Sequence, residues 1–449
     1  MDVGIENKKS ELRYKLHEKP PLKTSILLAF QTILTGFGGI VAVPLVVAGT
    51  LGLPFDEITF WVSCALFVAG IVTIIQSHGL GKIGSRLPIV MGTSFAFVGV
   101  SITVGKNYGI AEIFCATIVA ALVEIILSKF IRPLKKFLPP VVTGTVVTLI
   151  GLTIIPVAID WLAGGVGMPD YGSIKNILVG LTVMIIIILL NQFGNEFLSS
   201  ASIVIGIICG YILAAFTGML DFTSVGSASI FSFPRPFKYG CKFNIAAILA
   251  FIPVYLATTV ETVGDTLAIG AACEHEVTGE ELSSGVLCDG FGSILAGIFN
   301  SGANTSFSQC SGLINVTGVA SRFVTILAGG LLIIAGVIPK FGAIVAVMPN
   351  PVLGGAGVIM FGMIAGAGIK MLGEVKFDRR NMLVVSVSLT LGLGVMFKPD
   401  ILRQFPTAIQ TIFGSGVTTG TISAILLNII LPKNNSINKD LNKQKSINS

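Results

Sequence analysis

The chain has 449 residues, of which 53% are hydrophobic and 12% are charged, and its net charge is +6. Soluble domains carry about 25% charged residues, so this composition excludes a soluble protein and indicates a polytopic membrane protein. The seven cysteines and three histidines show no CxxC or zinc-type spacing, so the sequence predicts no disulfide framework, metal site or cofactor. GxSxG, HExxH and Walker A motifs are also absent, so no enzyme is indicated.

Apolar segments of membrane-spanning length recur along the whole chain. A helix that crosses the bilayer needs about 20 apolar residues, and by this criterion the sequence predicts about fourteen segments. The third and the tenth are short and rich in glycine and polar residues. The predicted ranges are 25–43, 58–77, 88–104, 110–128, 140–160, 174–191, 200–219, 246–270, 283–300, 303–318, 323–338, 352–371, 382–397 and 410–431.

The distribution of basic residues predicts the topology. With the N-terminus inside, 21 of the 29 lysines and arginines fall on the cytoplasmic side, which predicts an even number of spans and cytoplasmic termini. The positive charge is therefore a topology signal, and no nucleic-acid partner is expected. The predicted parts are a cytoplasmic segment (1–24), a first seven-span repeat (25–219), an extracellular connection (220–245), a second seven-span repeat (246–431) and a disordered cytoplasmic tail (432–449).

Two pairs of matched motifs indicate the internal repeat. GTSF at 92–95 and NTSF at 304–307 are 212 residues apart, and the Pro-Val pairs that open segments five and twelve are 211 apart. Seven spans in each half is an odd number, so the second half would be inverted, as in many secondary transporters. Matched short segments point to a transporter's binding site, which makes Phe95 and Phe307 equivalent aromatic neighbours of that site.

Carboxyl groups lie inside the apolar segments around this position. Glu261 and Asp265 are four residues apart in segment eight, so they share one helix face, and Asp289 follows in segment nine. No lysine or arginine lies in segments eight to ten. Ionisable groups at membrane depth mark sites and proton pathways, so we predict that Glu261 binds substrate and carries a proton, with Asp265 and Asp289 as proton-coupling or orienting partners. Gln309 can both donate and accept hydrogen bonds and is predicted to bind the amide edge of a flat ligand, while Glu124 is a weaker candidate.

The segment QCSGLINVTG at 309–318 resembles the signature of the nucleobase–ascorbate transporters (nucleobase–cation symporter-2), in which Gln/Glu-Asn-x-Gly is followed, after four residues, by Thr. GTSFAF (92–97), VETVGD (260–265), the Asp-Gly at 289–290 and PNPVLGGAGVIMFGMI (349–364) resemble the third, eighth, ninth and twelfth helices of that family. The likeness runs from about residue 25 to residue 431 and points to the bacterial xanthine and uric acid permeases.

This resemblance implies an all-α fold of fourteen helices in inverted halves, with a core domain, a gate domain, broken helices at segments three and ten, and a homodimer. It implies proton-coupled uptake of xanthine or uric acid across the cytoplasmic membrane. The substrate-binding set that follows is Glu261, Gln309, Phe95, Phe307, Ser308, Cys310 and Ser94, with Gly312 and Thr317 as structural residues of the motif.

Two residues depart from the family pattern. Cys310 stands where the motif has Asn, and Thr32 stands where a His is common in the first helix. A thiol does not supply the hydrogen bonds of an amide, whereas Gln309 is typical of the purine branch. The alternatives are a uracil or other nucleobase permease, a sulfate-type anion transporter, a membrane enzyme acting on lipid, and a sensor that does not translocate. Glu261 without a cation argues against the anion transporter, and the absence of His from segments eight to ten argues against the enzyme.

Overall fold

The computed structural model of the protein describes residues 12–131, 139–220, 225–226 and 229–432. Within these ranges the chain forms seventeen α-helices and two short strands. The first half contains α1 (Leu22–Thr50), α2 (Phe55–His78), β1 (Met91–Thr93), α3 (Val98–Asn107), α4 (Ile110–Ser128), α5 (Pro140–Leu162), α6 (Ile174–Phe193), α7 (Glu196–Ser200) and α8 (Ser202–Phe216). The second half contains α9 (Ile245–Ala272), α10 (Gly279–Ile298), β2 (Asn304–Ser306), α11 (Gln309–Thr317), α12 (Arg322–Gly336), α13 (Pro339–Ala346), α14 (Asn350–Gly373), α15 (Arg379–Phe397), α16 (Thr407–Phe413) and α17 (Gly416–Ile430). Residues 433–449 of the predicted disordered tail lie outside the described residues.

The predicted membrane segments match these elements. Eight of the described helices are long and apolar enough to cross a membrane, and two bent pairs, α12–α13 (82°) and α16–α17 (78°), raise the number to as many as ten. The shorter helix α8, the more polar helix α10 and the two segments that contain strands occupy the four remaining predicted positions. The prediction of an all-helical polytopic membrane protein is therefore confirmed.

Local sequence signals fix where several helices begin and end. Thr278 forms a capping box with Glu281 at the start of α10, and the Asn244 side chain accepts a 3.1 Å hydrogen bond from the backbone of Ala247 at the start of α9. Each such cap satisfies an N–H group that has no partner inside the helix. Gly318 ends α11 with φ +66°, a conformation that glycine adopts without steric strain. The starts of α9 and α10 and the end of α11 are thus set by residues of the local sequence.

Helices from the two halves pack against each other through small residues. At the contact of α5 with α14, an added Cβ at Gly151 would lie 2.6 Å from the Cα of Ala365. At the contact of α2 with α12, an added Cβ at Gly70 would lie 2.7 Å from the backbone nitrogen of Ile333. Glycine lets membrane helices approach this closely. Helices α1–α4 and α9–α13 pack mainly against one another, as do α5–α8 and α14–α17. We call the first group the core domain and the second the gate domain.

The prediction that the cysteines form no disulfide is wrong at one place. Cys115 of α4 is bonded to Cys241, in the segment that precedes α9. The two residues are 126 positions apart, so no local spacing could have indicated the pair. Close by, Lys238 forms a 2.7 Å ion pair with Glu57. Together these bonds hold the segment before α9 against the ends of α2 and α4.

The N-terminal segment is tied to the turn that follows α11. The N–H of Tyr14 donates to the carbonyl of Gly318 at 3.1 Å, and the N–H of Ala320 donates back to the carbonyl of Tyr14 at 2.8 Å. The N–H of Arg322 donates to the carbonyl of Leu16 at 3.2 Å. The predicted N-terminal segment therefore pairs, from Tyr14 onward, with the chain immediately after the signature motif.

Candidate functional site

The two short segments with matched motifs meet inside the core domain. β1 pairs antiparallel with β2, so that Gly92 lies opposite Thr305 and Thr93 lies opposite Asn304. Adding the repeat offset of 212 to Gly92 gives Asn304, and subtracting it from Thr305 gives Thr93, so the repeat converts the first pair into the second. A repeat related by a twofold axis requires this register, so the strand pairing agrees with an inverted repeat.

Hydrogen bonds continue beyond the ends of the strand pair. The N–H of Ser94 donates to the carbonyl of Ala303 at 2.8 Å, and the N–H of Phe307 donates to the carbonyl of Val90 at 3.0 Å. Extended backbone at membrane depth needs such partners, because lipid offers none. The prediction of breaks at segments three and ten is therefore confirmed, and each break takes the form of a paired strand.

A helix begins directly after each strand and faces the site with its first turn. Ser308 and Gln309, at the start of α11, are exposed. The first N–H groups of a helix lack partners within it and can bind polar ligand atoms. In the other segment Ser94 is buried, and its Oγ accepts a 3.3 Å hydrogen bond from the N–H of Ala96. The Ser94 side chain therefore caps the turn that leads into α3.

Two of the predicted carboxyl groups lie beside the strand pair on α9. Glu261 is half-buried, and Asp265, one turn further along, is only 7% exposed. Asp265 Oδ2 accepts a 2.7 Å hydrogen bond from the hydroxyl of Ser306, the last residue of β2. Helix α9 thus connects its carboxyl groups directly to the chain that leads into Gln309.

Two further carboxyl groups lie deeper in the core domain. Asp289 of α10 has no exposed surface and accepts a hydrogen bond from the hydroxyl of Thr262. Glu124 of α4 is also fully buried, and its Oε1 accepts a 3.2 Å hydrogen bond from the hydroxyl of Thr259. No lysine or arginine occurs in α4, α9 or α10. Asp265, Asp289 and Glu124 therefore each have a hydroxyl group as a hydrogen-bond partner.

The two matched aromatic residues have different surroundings. Phe95 is partly exposed, and its ring meets that of Phe361 edge-on at 5.3 Å between centroids. Phe307 is 6% exposed, and its ring lies so close to α1 that an added Cβ at Gly36 would be 3.1 Å from it and one at Gly39 3.0 Å. Of the two rings, only Phe95 presents a substantial accessible surface.

The two positions that depart from the family pattern share one cavity. Cys310 is 6% exposed, and its Sγ accepts a 3.3 Å hydrogen bond from the N–H of Val90. Together with Thr32 and Thr317, it lines a cavity of about 20 Å³ between α1, α11 and α12. That volume is enough for about one water molecule. The Cys310 thiol therefore points into the packing behind the signature helix, while its neighbour Gln309 is exposed.

The two remaining residues of the motif act on the shape of α11. Thr317 donates its hydroxyl to the carbonyl of Leu313 at 2.8 Å and accepts from the N–H of Val319 at 3.2 Å, so it closes the end of the helix. Gly312 is exposed, and an added Cβ there would meet no atom within 4 Å. Thr317 has a visible local role, whereas the packing of this chain does not require glycine at 312.

The hydroxyl groups that donate hydrogen bonds to the buried carboxyl groups were not predicted from the sequence. Thr259 and Thr262 on α9 and Ser306 on β2 each donate to a buried carboxyl group. The available signal was the cluster of threonines at 258, 259, 262 and 266 in α9, of which Thr259 and Thr262 donate to carboxyl groups while Thr258 and Thr266 donate to backbone carbonyls. Threonine is common in membrane helices, so that cluster alone does not identify the partners.

Comparison with known proteins agrees with this architecture. Residues 23–401 match the model of a permease family. A chain of Clostridium perfringens named as a purine permease is 47% identical over 428 residues, covering 95% of both chains. The xanthine permease of Bacillus subtilis is 37% identical over 408 residues, covering 90% of this chain and 93% of the relative.

Solved structures with the same fold are known as well. The transmembrane domain of the cyanobacterial bicarbonate transporter BicA aligns with a TM-score of 0.59 at 13% identity, over 92% of this chain and all of that domain. That likeness establishes the inverted-repeat transporter fold. The family match is carried by most of the chain and by relatives well above 30% identity. The chain therefore belongs to this permease family, the nucleobase–ascorbate transporters, and is a membrane transporter and not an enzyme.

Proposed function

We propose that the protein imports a purine nucleobase, xanthine or uric acid, together with protons. The observation that carries this proposal is the position of a half-buried carboxyl group, Glu261, on the helix that packs against the start of α11, where Gln309 is exposed. An oxidised purine presents N–H donors and carbonyl acceptors along its edges. A carboxylate accepts from such donors, and the amide of Gln309 both donates and accepts.

The accessible ring of Phe95 completes the proposed binding site. A flat heterocycle gains about 0.5–1.5 kcal/mol from an aromatic contact beyond the area it buries. The backbone N–H groups at the start of α11, next to Ser308, supply further donors. Because Phe307 and Cys310 are buried, we assign them to the support of this site, and we assign the stacking contact to Phe95.

Proton coupling is supported by the surroundings of the carboxyl groups. Glu261, Asp265 and Asp289 lie on α9 and α10, which contain no lysine or arginine. Buried carboxylates without a cationic partner are strongly disfavoured, so such groups bind protons. Uptake of a proton and a neutral purine into the same domain gives the linkage that a symporter needs.

Relatives named as a xanthine permease and as a uric acid transporter are each 37% identical to this chain, so their names support both substrates equally. A uracil permease and a sulfate-type transporter remain the competing proposals. Sulfate is the less favoured of the two, because α4, α9 and α10 supply no lysine or arginine that could bind a fully ionised anion. We further propose a homodimer in the cytoplasmic membrane with both termini inside, and repeat boundaries at 25–219 and 246–431.

The test is uptake of radiolabelled xanthine by cells or proteoliposomes that contain the protein. We expect uptake in sodium-free buffer, competition by uric acid but not by sulfate, and loss of accumulation when a protonophore is added. Glu261→Gln should abolish uptake, whereas the matched exposed control Glu280→Gln should not. Sodium-dependent uptake that a protonophore leaves unchanged, or full activity of Glu261→Gln at normal expression, would contradict the proposal.

A further inference from the structure

Glu124 is a buried carboxyl group that the proposed substrate site does not use. It lies near the end of α4 and has no exposed surface. Its Oε1 accepts the hydroxyl of Thr259, but its Oε2 has no hydrogen-bond partner among the described residues. A buried polar atom without a partner costs about 1–3 kcal/mol. A hydrogen atom between Oε2 and a neighbouring acceptor would remove this cost.

Asp289, on the neighbouring helix α10, also has one carboxyl oxygen without a hydrogen-bond partner among the described residues. Its Oδ2 accepts the hydroxyl of Thr262, and its Oδ1 has no hydrogen-bond partner among the described residues. Helices α4 and α10 are in close contact at this level, because an added Cβ at Gly290 would lie 3.1 Å from the backbone nitrogen of Ile125. Gly290 follows Asp289 and Ile125 follows Glu124. Thr259 and Thr262, three residues apart on α9, donate to Glu124 and to Asp289 respectively, so the same stretch of α9 contacts both carboxyl groups.

Among the described residues, no lysine or arginine forms an ion pair with either carboxyl group, and Lys129, just beyond the end of α4, is exposed. On α9, Glu261 and Asp265 add further acidic groups, and the Tyr255 hydroxyl is already engaged with the carbonyl of Thr117 at 3.0 Å. The one charged residue of α3, Lys106, lies toward the opposite end of α4 from Glu124, about 20 Å away along a helix that rises 1.5 Å per residue. On α2 the charged or titratable groups other than Cys64 lie at the two ends: Asp56, Glu57 and His78. On α10 the remaining titratable groups are Cys288, whose thiol faces the carbonyl of Val72, and, in the first turn, Glu280 and Glu281.

We propose that Glu124 and Asp289 hold one proton between them, in an O–H···O bond from one unpartnered oxygen to the other, and that Glu124 is thereby a proton-coupling residue of this transporter. Two like charges at short range cannot both remain ionised. One proton removes the repulsion and satisfies both oxygens at once. When the pair takes up this proton, one O–H bond of a hydronium ion breaks and one carboxyl O–H bond forms, leaving water; release to water reverses both changes.

The pair is placed to respond to the substrate segment. Thr262, which donates to Asp289, has its hydroxyl oxygen 3.5 Å from the Oγ of Ser306. Ser306 in turn donates to Asp265 and ends the strand that leads into Gln309. A shift of β2 on substrate binding therefore changes the hydrogen bonding of Asp289, and with it the proton affinity of the pair. This inference rests on the proposed proton-coupled transport.

The test uses the full-length protein in sodium-free proteoliposomes, with xanthine-driven proton uptake followed by a pH-sensitive dye and xanthine exchange followed by radiolabel. Glu124→Gln keeps a donor toward Asp289 but carries no transferable proton. We expect it to retain exchange and to lose proton uptake. Glu112→Gln, a matched change in the first turn of the same helix, should keep both. Asp289→Asn is the second variant, and it should also remove from the infrared spectrum the band of the protonated carboxyl that Glu124→Gln removes.

The outcomes separate the two proposals. If the unmodified protein exchanges xanthine but moves no protons, proton coupling itself fails. If it moves protons and Glu124→Gln does so with unchanged stoichiometry, only the role of Glu124 fails. If sodium stimulates the unmodified protein and has no effect on Glu124→Gln, the two oxygens hold a sodium ion and the shared proton is refuted. Should Glu124→Gln not insert, an unchanged infrared carboxyl band in Asp289→Asn refutes the pair.

Discussion

The contact between Gly92 and Phe307 provides a direct test of how the strand pair positions the site. An added Cβ at Gly92 would lie 2.6 Å from the Cζ of Phe307 and 2.8 Å from the Cγ1 of Ile40. Carbon atoms in contact are normally about 3.5–4.0 Å apart, so in Gly92→Ala the ring or the strand has to move by about 1 Å. Because Phe307 immediately precedes Ser308 and Gln309, the shift would reach the first turn of α11.

The size of the effect follows from this overlap. Overpacking of a well-packed core by a methyl group costs about 1–3 kcal/mol, which corresponds to a factor of about 5 to 150 in an equilibrium constant. We expect Gly92→Ala to lower the melting temperature and to weaken xanthine binding within that range. Adding Phe307→Leu removes the obstructing ring atoms, so the double variant should recover much of the loss.

The measurements are thermal denaturation and radioligand binding on the purified single and double variants. Gly49→Ala is the matched control, since an added Cβ at that position in α1 meets no atom within 4 Å. The reasoning fails if Gly92→Ala behaves like Gly49→Ala in both assays. It also fails if the effects of Gly92→Ala and Phe307→Leu are additive, because residues in contact should show a coupling energy.

Two further predictions concern residues around the signature helix. Ser306→Ala removes the 2.7 Å hydrogen bond to Asp265. Hydrogen bonds to charged groups are worth about 1.5–3 kcal/mol, so proton-driven uptake should fall about tenfold or more. The control is Ser386→Ala, whose exposed hydroxyl bonds only within α15, and it should leave uptake unchanged. Cys310→Asn should retain uptake, since its amide can occupy the adjoining cavity and still accept a hydrogen bond from the N–H of Val90; loss of uptake at normal expression would contradict this packing role.

Hydropathy and the repeated motifs were sufficient to predict the membrane segments and the place of the breaks. Apolar length is a property of the local sequence, and the shared Thr-Ser-Phe of segments three and ten was preserved in both halves. The form of the breaks was not predictable in the same way. Three-residue strands are too short to give an alternating pattern, and each exists only because its partner, more than 200 residues away, supplies its hydrogen bonds.

The environment of individual side chains depended on tertiary packing. Phe95 and Phe307 occupy matched positions in the sequence, but the ring of Phe307 is buried because Gly36 and Gly39 leave room for it on α1. The sequence favours Glu261 over Glu124, since it does not show that α4 packs against α10 beside Asp289. Burial of a carboxyl group is a property of the assembled helices, and one sequence gives no measure of it.

The pairing of β1 with β2 also sets an order on the biosynthesis of the protein. Thr93 is synthesised 213 residues before Ser306, so at about 5–20 residues per second the first strand waits about 10–40 s for its partner. Until then its N–H and C=O groups have no ladder, and each would cost several kcal/mol if it faced lipid. The nascent first half therefore has to keep this segment hydrated, or held by another partner, until the second half emerges. The candidate site cannot form until β2 has been synthesised, and a chain that terminates before Asn304 lacks the strand that closes it.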